Sequence, residues 1–254
     1  MGAQTGSVIV RALQLLAAFS PEHPELTLTE LARRAGLPLT TAHRLAGDLA
    51  SWGALERDGD GRYRIGLRLW ETASLAPRGL GLRELALPFL EDLSQVTQEN
   101  VQLAVRDALD VVYVERIAGR TAIPVLTRVG GRFPMPPTGV GLVLLAHAPA
   151  DVQEEVLTAP LPRFTDRTIV SARQLRQLLA EVRRTGVAIS DRQVTMDAVS
   201  VAAPVYGPTG TVVAAISVVV HAGDVPPNTL IPVVRAAARG ISRTLGARPA
   251  PLPH

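Results

Sequence analysis

The stretch LTELARRAGLPLTTAHRLAG, residues 28–47, has the pattern of two short helices joined by a sharp turn. Apolar residues recur at helical spacing on both helices: Leu31, Ala32 and Ala35, then Ala42, Leu45 and Leu49. Gly36 stands where the chain must turn, and glycine readily adopts a positive φ. Pro38 suits the first turn of the second helix, where its missing N–H costs nothing. The stretch therefore predicts a helix-turn-helix.

The outer face of the second predicted helix is polar near its start. It carries four side chains that can reach a ligand: Thr40, Thr41, His43 and Arg44. In a helix-turn-helix this end of the second helix lies in the DNA major groove. Sequence-specific DNA binding is therefore expected, and the alternative is an αα-hairpin without a ligand.

A β-hairpin is predicted directly after the two helices. Residues 55–58 and 63–66 alternate inward and outward side chains as strands do, and residues 59–61, Gly-Asp-Gly, are typical of a tight turn. A helix-turn-helix followed by a hairpin is a winged helix. Three arginines lie on or beside this wing, within reach of phosphates or the minor groove: Arg57, Arg62 and Arg64. Because Asp58 and Asp60 stand beside them, a solvated charged hairpin is the alternative.

Short motifs follow one another along nearly the whole chain. They are residues 7–16 (SVIVRALQLL), 28–36, 37–38, 41–45 (TAHRL), 61–70 (GRYRIGLRLW), 111–116 (VVYVER), 131–134 (GRFP), 202–205 (AAPV) and 213–217 (VAAIS). In this order they resemble the IclR-type transcriptional regulators. The resemblance implies a winged helix-turn-helix DNA-binding domain with a linker helix over residues 1–76. It implies a GAF-like α+β domain for effector binding and oligomerisation over residues 77–254.

Composition excludes several function classes. The chain has 254 residues, of which 47% are hydrophobic, which is enough for one or two packed domains. The absence of cysteine excludes disulfides and thiolate metal sites, and the five scattered histidines form no metal-binding motif, so no metal or cofactor is predicted. No signal peptide is recognisable, and the apolar run 212–220 is too short to span a bilayer. A soluble, cytoplasmic protein without a membrane partner is expected.

The formal charge does not point to nucleic acid. All 26 basic residues are arginine. Residues 1–76 contain eight arginines and eight acidic residues, so their charges cancel, and the net +3 resides on residues 77–254. DNA affinity must therefore depend on where the arginines lie and on helix N-termini that face phosphates.

Periodicity predicts the remaining elements. Helices are expected at residues 7–19, 67–75, 82–97, 138–146, 171–185 and 229–245. Strands are expected at residues 100–106, 110–117, 124–129, 188–190, 200–206 and 212–220. Residues 249–254 are expected to form a loose tail. Ser7 can cap the first helix, whose apolar side would include Val8, and Pro88 would bend or restart the third. The second half is thus an α+β domain built on an antiparallel sheet.

A glycine-rich segment, PTGVG at residues 137–141, precedes an apolar helical run. Such a helix start can hold an anion through free N–H groups and the helix dipole, whereas a simple tight turn is the alternative. It is not a dinucleotide fingerprint, because Leu144 replaces the third glycine. The resemblance implies that this segment faces a pocket for a small organic acid. Matched motifs place eight residues there: Phe133, Gly139, Val140, Ser190, Ala198, Ser200, Ser217 and Val219. For each serine, a local bond to backbone is the alternative.

The sequence departs from the family pattern around this pocket. Pro136 and Pro137 replace a usual His-Ala pair, Leu142 a common lysine, Gln193 a common glutamate and Asp197 a common glycine. The absent lysine would remove a charge near the helix start. A more apolar effector, or none, is therefore an alternative.

Two other function classes remain open: an enzyme, or a small-molecule-binding protein whose winged helix contacts protein. The chain lacks G-x-S-x-G and a cysteine nucleophile. Ser190, Asp191 and Asp197 have no histidine close to them in the sequence, so no catalytic residue is predicted. The expected partners are double-stranded DNA, a small organic-acid effector and the chain itself. A homodimer or dimer of dimers is expected, because one recognition helix covers too little DNA for useful specificity.

Overall fold

The chain divides into two compact units, Met1–Ala76 and Pro77–His254. The computed structural model describes residues 7–247, with the backbone alone at 77 and 78, so the tail predicted at 249–254 lies outside the described residues. The assignment of DNA binding to the first unit, and of effector binding and assembly to the second, remains a prediction.

The first unit is a winged helix. Its elements are α1 (Val8–Ala17), β1 (Glu25–Leu26), α2 (Leu28–Ala35), α3 (Leu39–Trp52), β2 (Leu55–Arg57), β3 (Tyr63–Ile65) and α4 (Leu67–Ser74). The largest fully buried side chains of its core are Leu15, Leu31, Leu45 and Leu55. Each comes from a different helix or strand, so burial of apolar surface holds α1, α2, α3 and the wing together.

Local capping explains where α2 begins and ends. Thr27 Oγ1 accepts a hydrogen bond from the Glu30 N–H at 3.3 Å, and Glu30 Oε2 accepts one from the Thr27 N–H at 2.8 Å, which is a complete capping box. Gly36 ends the helix with φ +66°, as its position in the turn requires. Pro38 is the residue that precedes α3, not part of its first turn, and Val8 is 48% exposed, so both details of the prediction were wrong.

The wing is part of a three-stranded sheet in the order β1-β3-β2. Its tip is organised by Asp58, whose Oδ1 accepts hydrogen bonds from the N–H groups of Asp60 at 3.0 Å and Arg62 at 2.8 Å. Gly61 has φ +81°, which favours glycine there. Strand β1 was not predicted, because two residues carry too little periodicity to be recognised.

The second unit contains a six-stranded antiparallel sheet in the order β6-β5-β4-β9-β8-β7. A π-helical turn at Pro77–Gly81 is followed by α5 (Leu82–Thr97), β4 (Asn100–Asp107), β5 (Asp110–Ile117), β6 (Arg132–Pro134), α6 (Gly139–Ala146), α7 (Ala150–Thr158), α8 (Ala172–Thr185), β7 (Ala188–Asp191), β8 (Ala198–Tyr206), β9 (Val212–His221) and α9 (Pro227–Thr244). Both faces of the sheet are covered by helices, so the predicted α+β domain is confirmed.

Two apolar cores lie on opposite faces of this sheet. Along β8, Val201 and Ala203 pack with α5 and α9, whereas Ala202 between them packs with α6 and α8. This alternation follows from the two-residue period of a strand. All eight residues of α6 are buried, so this helix is covered on every side.

The strand predicted at residues 124–129 does not form. The segment is an irregular loop held by side chains of β4: Asn100 Nδ2 donates to the Ile123 carbonyl at 2.8 Å, and Gln102 Nε2 donates to Thr127 Oγ1 at 2.6 Å. The edge strand on this side of the sheet is β6, which pairs with β5. Helix α7 was not predicted, since its short apolar pattern is weak.

Candidate nucleic-acid interface and ligand cavity

Helix α3 presents its predicted DNA-binding residues on one surface. Ala42, Leu45 and Ala46 are buried in the core of the first unit. The opposite face exposes Thr40, His43 and Arg44, while Thr41 is half-buried at its margin. The four predicted residues thus lie together over the first one and a half turns of the second helix, the part that enters the major groove in helix-turn-helix proteins.

Each predicted DNA-binding arginine has a partner within the chain. Arg44 Nη1 lies 3.2 Å from Asp48 Oδ2, Arg62 Nη1 lies 4.0 Å from Glu30 Oε2, and Arg64 Nη2 lies 2.9 Å from Glu56 Oε2. The Arg57 guanidinium lies 5.5 Å from the centroid of the Tyr63 ring. Because exposed ion pairs contribute only about 0–1 kcal/mol, DNA phosphates can compete for these arginines.

Two of the three carboxylates also have a structural role. Glu30 belongs to the capping box of α2, and the Thr27 N–H lowers the pKa of its carboxyl. Glu56 accepts a hydrogen bond from the Leu67 N–H at 3.1 Å, which lowers the pKa of Glu56 and orients the start of α4. These two acids would be needed whether or not DNA binds.

Sequence reasoning did not single out Arg68, whose side chain joins two helices of this unit. Arg68 stacks its guanidinium 4.8 Å from the centroid of the Trp52 ring and donates to the Trp52 carbonyl at 3.0 Å. The contact joins α4 to the end of α3. No local motif signals it, because the two residues are 16 apart in the chain.

A cavity of about 50 Å³ lies in the second unit between the sheet and the start of α6. Seven of the eight residues predicted from matched motifs line it: Phe133, Gly139, Val140, Ser190, Ala198, Ser200 and Val219. They come from β6, α6, β7, β8 and β9, so the fold brings together residues that are up to 86 positions apart in the sequence.

Ser217 is the exception. It is fully buried and does not line the cavity, whereas Gln102, its partner in the register of β4 and β9, does. Its hydroxyl donates to Gln102 Oε1 at 3.5 Å. Ser217 is thus connected to the cavity wall through Gln102.

The hydroxyl of Ser190 is used locally, since it donates to the Pro137 carbonyl at 2.6 Å. Ser200 lies close to the start of α6: a Cβ on Gly139 would be 2.5 Å from Ser200 Oγ. Leu142, where the family has a common lysine, is fully buried in the core and is not part of the cavity wall. The expectation that this replacement removes a charge near the helix start remains a prediction.

Five polar residues of the wall were not predicted: Gln102, Tyr113, Thr127, Thr138 and Thr195. Gln102 holds Thr127 of the overlying loop. Tyr113 is buried, which raises the pKa of its hydroxyl, while Thr138 is its side-chain partner. Thr138 also accepts a hydrogen bond from the Gly141 N–H at 3.0 Å and so caps α6. Only Thr138 had a local signal, as a threonine just before an apolar helix.

Among residues 7–247, those that line the cavity are all neutral; no Asp, Glu, Lys, Arg or His of this range contributes to its wall. Any charge on a ligand would therefore be met by dipoles. The available groups are the free N–H groups at the start of α6, the hydroxyls and the Gln102 amide. In residues 7–247 there is no group of His, Cys, Asp and Glu suited to a metal ion, and no helix is long and apolar enough to cross a membrane.

Comparisons with known proteins cover both units. The family model for the IclR helix-turn-helix domain matches residues 8–59, and the model for the bacterial transcriptional regulator IclR C-terminal domain matches residues 76–243. The HTH-type transcriptional regulator XynR of Escherichia coli (strain K12) is 30% identical over 211 residues, which cover 82% of this chain and 84% of that protein. The glycerol operon regulatory protein of Streptomyces coelicolor is 30% identical and covers 93% of this chain and 95% of that protein.

A solved structure is similar over almost the full length. It is an IclR homolog of Microbacterium hydrocarbonoxydans complexed with 4-hydroxybenzoate, with 37% identity, a TM-score of 0.89, and coverage of 94% of this chain and 99% of that chain. Family models thus match both the winged helix and the α+β domain, and the solved relative has the same fold. The chain belongs to the IclR family of helix-turn-helix transcriptional regulators.

Proposed function

We propose that this regulator reads its operator with α3 and the wing, and that a small aromatic monocarboxylic acid bound in the cavity modulates its DNA binding. The observation that carries the proposal is the neutral cavity at the start of α6, whose wall combines apolar side chains with hydrogen-bonding groups. The 4-hydroxybenzoate complex of the Microbacterium relative supports an acid of this class.

The start of α6 suits a carboxylate. The N–H groups of Gly139 and Val140 are the first two of the helix and have no acceptor within it. The helix dipole adds a partial positive charge at this end. Phe133 and Val219 supply apolar surface for a ring, and Gln102 adds a neutral donor and acceptor.

Entry of such an acid requires the loop at residues 122–129 to move. A volume of about 50 Å³ holds only about three to five water-sized spheres, which is less than an aromatic ring needs. Val125, Leu126 and Thr127 of the loop cover the cavity, and Leu126 is 68% exposed. The bond between Gln102 and Thr127 is the contact that a ligand would have to break.

We also propose that the protein acts as a homodimer or dimer of dimers on double-stranded DNA in the cytoplasm, and that it is not an enzyme. Exposed apolar side chains on α1 and α4 offer a surface for a second copy: Ile9, Leu13, Leu67 and Trp70. Ser190 donates to a backbone carbonyl, not to a base, and Asp191 pairs with Arg167 and Arg192. The α+β unit therefore offers no activated nucleophile at the residues first considered.

The experiment that tests the function is selection of bound sequences from random duplex DNA with the full chain. The preferred duplex is then used to screen aromatic and aliphatic acids for a change in affinity. A single preferred sequence whose affinity changes with an aromatic acid supports the proposal. Affinity that is the same for every duplex contradicts it.

The wing is expected to supply phosphate contacts. Replacing both Arg62 and Arg64 with alanine should flatten the slope of log affinity against log salt by about one to two units. The reason is that a protein with fewer phosphate contacts releases fewer counterions from the DNA when it binds. Site preference should change little. Replacing Arg176 and Arg184 of α8 makes the same change in net charge outside the first unit and is the matched control. A slope that stays unchanged in the wing variant would mean a solvated hairpin.

A further inference from the structure

Asp48 is an acid on the surface of the helix that is to face DNA. Its side chain is 65% exposed, and its partner is Arg44, one helical turn earlier, whose side chain is 57% exposed. A carboxylate at this place repels the phosphates of any duplex that approaches α3. Its presence on this face therefore needs an explanation other than affinity.

Stability of the fold does not supply that explanation. Glu30 and Glu56, the acids facing the wing arginines, each accept a backbone N–H that shapes a helix start. Among the contacts of the described residues, the carboxylate of Asp48 has Arg44 as its single hydrogen-bond partner. An exposed pair adds little to stability, and a base placed before an acid is the weaker order on a helix. Aspartate is also a poor helix former.

We propose that Asp48 is a specificity-determining residue of DNA recognition, because it holds Arg44 ready for a base edge and withholds it from phosphates. The proposal rests on the assignment of Arg44 as the base-reading residue. A guanidinium has five N–H donors, so the bond to Asp48 leaves donors for the two acceptors of a guanine. On the correct site the pair and the base contact can therefore coexist.

Random DNA does not offer Arg44 the matching base edge. Arg44 can gain binding energy there only by turning to a phosphate. That movement breaks the pair with Asp48 and leaves the carboxylate facing the DNA backbone without a cation. The repulsion between Asp48 and phosphates is common to both kinds of DNA, but the cost of breaking the pair falls on non-specific binding. The zero net charge of residues 1–76 acts in the same direction, since it weakens sequence-independent attraction.

The test compares the full-length protein with its Asp48→Asn variant, which keeps the shape and removes the charge. Affinity is measured on the selected duplex and on a shuffled duplex over a range of salt. For the variant, affinity for the shuffled duplex should rise about threefold, and the salt slope on it should steepen by about one, as one added phosphate contact gives. Affinity for the selected duplex should rise less or fall. Repeated selection with the variant should show a relaxed preference at one base pair.

Two further variants make the outcome decisive. Glu71→Gln removes the same charge from exposed α4, outside the helix-turn-helix and the wing, and should leave the ratio of the two affinities unchanged. In an Arg44→Ala background, Asp48→Asn should no longer change that ratio, because Asp48 acts through Arg44. Equal gains on both duplexes, or an effect that persists without Arg44, overturns the proposal. A separate result would show that Arg44 does not read a base: Arg44→Ala would then lower the affinity for both duplexes by the same factor.

Discussion

Replacing Arg44 with alanine is expected to weaken binding to the preferred duplex by roughly 1–3 kcal/mol, about 5- to 150-fold, and to affect random DNA much less. Arg44 is exposed near the start of α3, where side chains reach base edges in the major groove. Its guanidinium can bond two acceptors of a guanine at once, and that contact is available on the correct sequence only. Titration of both duplexes with the full-length protein measures the difference.

Arg44→Lys is the matched control, because it keeps the charge and removes the planar pair of donors. This variant should retain affinity for random duplex and lose most of the preference for the selected one. If Arg44→Ala instead weakens both duplexes to the same degree, Arg44 contacts a phosphate and the base is read elsewhere on α3.

An acid bound in the cavity is expected to raise the melting temperature of the protein. A ligand at 100 times its Kd adds about 2.7 kcal/mol to the free energy of unfolding, or roughly 5–10 °C for a domain of this size. Filling the cavity by Ala198→Leu should abolish the shift, since Ala198 is part of the wall and is only partly buried. Thermal unfolding of the full chain with 4-hydroxybenzoate or an aliphatic acid checks both statements.

The control for this experiment is Ala180→Leu, which adds the same side chain on the exposed face of α8. It should keep the ligand response of the unmodified protein. Gly139 is a poor site for blocking the cavity, because even a Cβ there would be 2.5 Å from Ser200 Oγ and could prevent folding. A shift that survives Ala198→Leu would place the ligand outside this cavity.

The elements that could be predicted were those with their own local signals. Ser7 was predicted to cap the first helix, and the structure has that cap, with the Ser7 side chain accepting from the Val10 N–H. The segment 124–129 has the apolar, β-branched residues of a strand, but side chains of β4 hold it as a loop. These hydrogen bonds join residues more than 20 positions apart in the sequence. A local sequence pattern therefore cannot predict them.

In the candidate sites, too, some residues could be predicted from local sequence patterns and others only from contacts between distant segments. The α3 surface is one helix, so its residues follow from spacing alone. The cavity wall depends on how strands pair: Ser217 of β9 does not line the cavity, whereas Gln102, its partner on the neighbouring strand, does. Family motifs indicated the segments that meet at the cavity, whereas Gln102 and Tyr113 required the register of the sheet.

The complete burial of α6 has a consequence for how effector preference can evolve. All residues from Gly139 to Ala146 are buried, and only the first two line the cavity, so most substitutions in α6 lower the stability of the fold without contacting a ligand. The loop at residues 122–129 has exposed positions, Leu126 among them, and tolerates substitution. Descendants of this regulator that answer to new metabolites should therefore differ mainly in that loop, with the helix beneath it left unchanged. Libraries made to retune it as a biosensor are best confined to the same few positions.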